Sequence, residues 1–370
     1  MPKRKIKVTI FGMGLIGGSL GQAWRKAGTA EVTGVVRRKE AVEEVLAVGA
    51  ADKVVTDPAL GMAEAEVVVF APPVAQIVPL ARQVWSLARP GTVFTDVGSV
   101  KGLICRTLWQ EMPADMIFIG GHPMAGSERA GVKAADPYLF ENAVYCLTPP
   151  KGMKEDHPAL ATLLHLVKSV GARALILDPD DHDLIVAGVS HVPHLAAVAL
   201  VQSVAKAESG GVNMLQLAAG GFRDTTRVAG GAADIWRDIC LHNRQAILTM
   251  LDKLMGELTF LRRAIAAGDG EALTNLFEEA RRVRSTIPAR LRGVLGAVHE
   301  ITFILADRPG TIHEATGLLA AEGINIVDIE IMRVREGEGG TLRLALADAE
   351  AAERAVKILT AHGYTARRLL

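Results

Sequence analysis

The stretch Lys5-Ile6-Lys7-Val8-Thr9-Ile10-Phe11-Gly12-Met13-Gly14-Leu15-Ile16-Gly17 decides the fold. Its β-branched apolar run predicts a buried strand over 5–11, and the pattern over 15–27 predicts an amphipathic helix. Between them stands Gly-x-Gly-x-x-Gly. The first glycine permits the tight turn, the second lets a pyrophosphate approach the backbone, and the third lets helix and strand pack closely. Alone the motif is weak; directly after a strand, at a helix start and with a second strand about 20 residues on, it is strong. Gly12, Gly14, Leu15, Ile16 and Gly17 are therefore candidate dinucleotide contacts, with Ala71 and Pro72 after a later strand. A basic start followed by an apolar run also fits a signal peptide, but the glycines and the lack of a small-residue cleavage pattern favour the strand.

Outward from this motif, strands are predicted at 31–36, 67–70 and 92–95, with helices at 40–48 and 74–87. The alternation implies a Rossmann-type α/β domain with a parallel sheet covered on both faces. Gly/Pro-rich loops and strands at 116–119 and 143–147 follow, with a last short strand at 173–177. From 158 to 292 the chain reads as almost wholly helical, including a 34-residue pattern over 234–267 that suggests subunit contact. The final 70 or so residues read βαββαβ, the ferredoxin-like plan. The predicted domains are 1–178 (dinucleotide-binding), 179–292 (all-α, substrate and dimerisation) and 298–370 (small regulatory), with a linker near 293–297.

The 370 residues carry 41 Lys+Arg against 41 Asp+Glu and are 49% hydrophobic, which argues against a polyanionic partner and against disorder. Cys105, Cys146 and Cys240 offer no disulfide framework and no zinc spacing, which fits a reducing cytoplasm. The apolar stretch 185–204 contains His191, Pro193 and His194, so a buried helix is expected there and no membrane span.

Where an acid would hydrogen-bond the adenosine ribose of NAD, the second strand ends in Arg37-Arg38. Two guanidiniums favour a 2′-phosphate, so the reading favours NADP over NAD. Three polar clusters remain: Asp96-Val-Gly-Ser99-Val-Lys101; Gly121-His122-Pro123-Met124-Ala125-Gly126-Ser127-Glu128; and Gly220 to Arg227, with Ser190-His191-Val192-Pro193-His194 upstream. His182-Asp183 with His191 and His194 matches no zinc pattern, and no metal is expected.

In order and spacing, these clusters resemble those of the prephenate dehydrogenase family over about residues 5–290. Asp307-Arg308-Pro309-Gly310 and Gly323-Ile324-Asn325-Ile326 resemble an ACT domain, an amino-acid-sensing module. The resemblance implies oxidative decarboxylation of prephenate to 4-hydroxyphenylpyruvate in tyrosine biosynthesis, with arogenate as alternative substrate. A simple hydroxyacid dehydrogenase or a non-catalytic dinucleotide and amino-acid sensor fits the motifs less well. It further implies His122 as base or acceptor for the substrate hydroxyl, since an imidazole near its natural pKa suits that role. Ser99 would assist, and Arg227 would hold the ring carboxylate. His194, Glu128, Ser127, Asp224 and Trp236 would contact the substrate or shape its pocket. Tyrosine is the expected effector, at Asp307, Pro309, Gly310 and Asn325, and a homodimer the expected assembly.

Overall fold

The computed structural model describes residues 4–126, 129–207, 214–286, 299–306, 308–332 and 340–368. By contacts the chain forms two units, residues 1–292 and 293–370. The linker expected at 293–297 lies outside the described residues.

The first unit opens with alternating strands and helices: β1 (Ile6–Phe11), α1 (Leu15–Ala27), β2 (Ala30–Val35), α2 (Glu40–Ala47), β3 (Lys53–Val55) and α3 (Pro58–Met62). Then come β4 (Val67–Phe70), α4 (Val74–Val84), β5 (Val93–Asp96), α5 (Gly102–Glu111) and β6 (Ile117–Phe118). The six strands make one sheet in the order β3-β2-β1-β4-β5-β6, all parallel. Strand periodicity explains the two cores. Val8, Ile10, Val67 and Val69 face one layer, with Leu20 and Trp24 of α1. Phe11, Val68, Phe70 and Phe94 face the other, with Ile77 and Leu108 of α4 and α5. The strand order reverses between β1 and β4, which opens a crevice at their carboxyl ends.

A second, three-stranded sheet is formed by β7 (Gly120–Pro123), β8 (Val144–Thr148) and β9 (Arg173–Ile176), with α6 (Pro158–Ser169) between the last two. β7 corrects the expected loop at 121–123: its glycines pack where a Cβ would strike Thr148 or the Asp96 backbone.

Helices follow: α7 (Pro179–Val186), a π turn (Ala187–His191), α8 (Val192–Lys206), α9 (Gly220–Thr226), α10 (Ala233–His242), α11 (Arg244–Ala267) and α12 (Gly270–Thr286). The single long helix expected over 234–267 is broken at Asn243, with φ −106° and ψ 30°, where the side chain turns inward to hydrogen-bond. The run Pro179–Lys206 is long and apolar enough in composition to cross a membrane. The expectation of a buried helix holds for one face, which carries His182, Asp183, His191 and His194; Ile185 and Val189 on the other are exposed.

The second unit contains β10 (His299–Leu305), α13 (Thr311–Ala321), β11 (Ile326–Met332), β12 (Gly340–Leu346), α14 (Ala349–Ala361) and β13 (Ala366–Arg368). Its antiparallel sheet runs β11-β12-β10-β13 over a core of Ile301, Phe303, Leu319, Leu344 and Leu359. This is the expected βαββαβ plan.

Candidate active site

The glycine turn after β1 is shaped for close approach. Gly12 has φ +97°, and a Cβ there would stand 2.7 Å from the Ala71 carbonyl carbon. A Cβ on Gly17 would stand within 3 Å of the Gly12 carbonyl oxygen, whereas a Cβ on Gly14 would meet nothing within 4 Å. That open side is the N-terminus of α1, which has no side-chain cap and no acid in its first turn. Its N–H groups are left for an anion. A cavity of about 670 Å³ lies here, lined by Gly12, Gly14, Arg37, Arg38, Ala71 and Pro72 among others, with no carboxylate among its described lining residues. Leu15 and Ile16 sit in the first helical turn and do not line the cavity. The residues present fit a dinucleotide: an uncapped helix start for the pyrophosphate and two guanidiniums at the far end.

At the carboxyl end of β5, Asp96 and Lys101 form an ion pair with both side chains fully buried. Asp96 also accepts the backbone N–H groups of Gly98 (2.8 Å) and Gly121 (3.0 Å). The carboxylate thus ties the segment carrying Ser99 to the strand carrying His122. Ser99 is half-buried.

His122, on β7, places Nδ1 2.8 Å from Nε2 of His182. His182 Nδ1–H in turn donates to Asp183 Oδ1 at 2.9 Å. The Asp183 carboxylate further accepts the backbone N–H of Lys101 (2.7 Å) and of Gly102 (2.8 Å), so it caps α5 from a different helix. Asn243 donates to the Asp183 carbonyl (2.8 Å), and its amide lies 3.1 Å from His191 Nδ1. Burial, reinforced by the charges of His182, Lys101 and His191, holds the His122 pKa well below the ordinary 6.5. Burial likewise lowers His191 to about 4. Beside this group opens a largely apolar cavity of about 520 Å³, lined by Met124, Val144, Cys146, Leu175, His182 and Ile185 among others.

His194 is buried and stacks on Trp236, with ring centroids 3.4 Å apart; burial lowers its pKa. Gly231 closes against this pair, because a Cβ there would stand 2.5 Å from Trp236 Nε1. Asp224, near the end of α9, and Arg227, in the turn that follows, are both exposed; their elements pack on α8. The structure therefore joins His122 to the Ser99 segment, and His194 to Trp236. Ser127, Glu128 and Asp307 lie outside the described residues. In the second unit, Pro309 and Gly310 (φ +92°) precede α13, and Asn325 is exposed before β11.

His182, Asp183 and Asn243 were not among the expected site residues. An adjacent His-Asp pair just after a helix start was the available signal, but its partner His122 lies 60 residues away. Among the described residues, no group of three or more His, Cys, Asp or Glu is arranged to hold a metal ion.

The family model for the prephenate dehydrogenase nucleotide-binding domain matches residues 20–176, that for its dimerization domain residues 178–279, and the ACT domain model residues 299–363. A prephenate dehydrogenase of Bacillus subtilis (strain 168) is 36% identical over 366 residues, which cover 98% of this chain and 97% of that protein. The crystal structure of prephenate dehydrogenase from A. aeolicus in complex with hydroxyphenyl propionate and NAD+ is similar, with a TM-score of 0.72 and 28% identity. That match covers 77% of this chain and 99% of the other. Synechocystis arogenate dehydrogenase gives a TM-score of 0.68 and 32% identity over 76% of this chain and 99% of its own.

Proposed function

Since this chain belongs to the prephenate dehydrogenase family, we propose that it converts prephenate to 4-hydroxyphenylpyruvate and CO₂ at the site around His122. The observation that carries this reading is the imidazole of His122, half-buried beside the carboxyl edge of the nucleotide sheet and backed by His182 at 2.8 Å, in surroundings that lower its pKa. The nicotinamide, when bound, supplies the hydride acceptor. His122 accepts the C4 hydroxyl proton as the hydride leaves. Loss of CO₂ then returns the C–C bonding pair to the ring, which becomes aromatic, and the proton goes back to the phenolate oxygen. Ser99 contacts the same hydroxyl or orients the nicotinamide. Arg227 holds the ring carboxylate with its planar fork, Asp224 orients that arginine, and His194, Trp236, Ser127 and Glu128 shape the side-chain end of the pocket.

The domain assignment is 1–178 for the cofactor, 179–292 for substrate and dimerisation, and 298–370 for regulation. Arg37 and Arg38, with no carboxylate among the described residues lining their cavity, favour NADP over NAD. The protein acts as a cytoplasmic homodimer. Tyrosine binds the ACT domain at Asp307, Pro309, Gly310 and Asn325 and inhibits.

The second reading, arogenate as substrate, draws on the likeness to Synechocystis arogenate dehydrogenase. One assay separates these readings: reduction of NAD and NADP with prephenate and with arogenate. Turnover of prephenate with a lower KM for NADP is expected. Turnover of arogenate alone would replace the substrate, and a strong preference for NAD would overturn the cofactor choice.

A further inference from the structure

His122 can act as a proton acceptor towards substrate only through the ring nitrogen that does not face the protein, and only if that nitrogen carries no hydrogen. The hydrogen-bond chain behind it determines this. Asp183 is an acceptor in every contact it makes: from the Lys101 and Gly102 N–H groups and from His182. A His182 ring carrying one hydrogen therefore holds it on Nδ1, and its Nε2 bears a lone pair. The only bond compatible with that lone pair is donation from His122 Nδ1–H, across 2.8 Å. His122 Nε2 is then bare.

We propose that Asp183 and His182 are positioning residues that hold His122 in its Nδ1–H tautomer and extend its proton path. The inference rests on His122 being the acceptor for the substrate hydroxyl. As the hydride leaves C4, the hydroxyl proton bonds to His122 Nε2 and the Nδ1 proton crosses to His182 Nε2. His182 becomes the cation, hydrogen-bonded through Nδ1 to ionised Asp183, so positive charge moves away from the site. Both transfers reverse when the phenolate oxygen takes its proton back, and no net proton is gained or lost. The other charged and titratable groups facing His122 are Lys101, paired with Asp96, and His191. His191 makes its own bond to Asn243 and does not enter the chain. The fixed charges of Lys101 and Asp96 are matched, which leaves Asp183 as the anion able to balance a cation on His182.

The test is two-bond ¹H–¹⁵N correlation of the imidazole rings in full-length, ¹⁵N-histidine-labelled protein, with the His122 signals assigned by their loss in His122→Asn. The expected spectrum has His122 protonated at Nδ1. An Nε2-protonated His122 in the wild type overturns the proposal without any variant having to fold. In Asp183→Asn the amide sets its NH2 against either the Lys101 or the Gly102 N–H, and in both orientations the anion behind His182 is lost. There kcat should fall about 100-fold or more with KM changed less than about threefold. His182→Gln, which retains an acceptor, should exceed His182→Leu in kcat by about tenfold. Equal rates in those two variants, or an unchanged kcat in Asp183→Asn, would contradict the role. Near-normal activity of His122→Asn removes the base reading itself, and the free-protein spectrum distinguishes that failure from this one.

Discussion

Lys101 and Asp96 bury a full ion pair between two strands and a helix start, and the Asp96 carboxylate also organises backbone around it. Removing one member leaves the other charge without a partner in a medium that solvates it poorly. Lys101→Met should therefore destabilise the fold by about 3–5 kcal/mol, read as a lower midpoint in urea. His191 predicts a pH dependence. Its folded pKa of about 4 lies below its ordinary 6.5, so on acidification the unfolded chain takes the proton first. The stabilisation is complete above about pH 6.5 and is lost between there and about pH 4, on the order of 3 kcal/mol. Urea midpoints at both ends of that window should converge in His191→Gln relative to the wild type. In activity, His122→Asn should mainly lower kcat and Arg227→Ala mainly raise KM. At this scale the sequence was only partly readable. Gly12, Gly14 and Gly17 announce themselves because a turn demands them. His182 and Asp183 do not, because their role depends on a partner that a distant strand delivers.

Between residues and domains, the π turn at Ala187–His191 explains the least legible part of the site. Each α-helical residue advances the chain by about 100°, and the extra residue of a π turn sets later positions back by about that angle. In an unbroken helix His182 and His194 would be offset by about 120° and Asp183 and His191 by about 80°; the turn reduces each offset to about 20°. A single helical wheel drawn over the segment therefore scatters the histidines that the fold collects. Five strands of the first sheet were readable within a residue or so, since their apolar runs are short and bounded; β3, three residues at the sheet edge, is too short to show a pattern and was not read. The α10–α11 break was not, because Asn243 stops a helix by what it bonds to, and that lies on another element. Along α11, Leu248, Met255, Leu258 and Ile265 are exposed at heptad spacing, an apolar seam without cover in one chain. If the homodimer forms there, Met255→Glu should halve the mass seen by sedimentation at micromolar concentration; an unchanged mass places the interface elsewhere.

At the scale of the molecule, the two compact units make separate predictions. The second unit has its own core, so deletion of residues 298–370 should abolish inhibition by tyrosine while leaving prephenate turnover intact. Retained inhibition in the truncated protein would move the effector to the catalytic unit. The balance of 41 basic and 41 acidic residues says little by itself; two arginines on one cavity wall and one buried lysine carry more meaning than the total.

The carboxylate of Asp183 grips α5 through two backbone N–H groups while it orients His182. The same oxygen atoms thus serve as a mechanical latch between the nucleotide sheet and the helices, and as the electrical ground of the base. A chain whose halves have not yet docked lacks the anion that readies His122. On the mechanism proposed above, chemical competence is in this way interlocked with completed assembly: a half-folded molecule would carry the proposed base without the anion behind it.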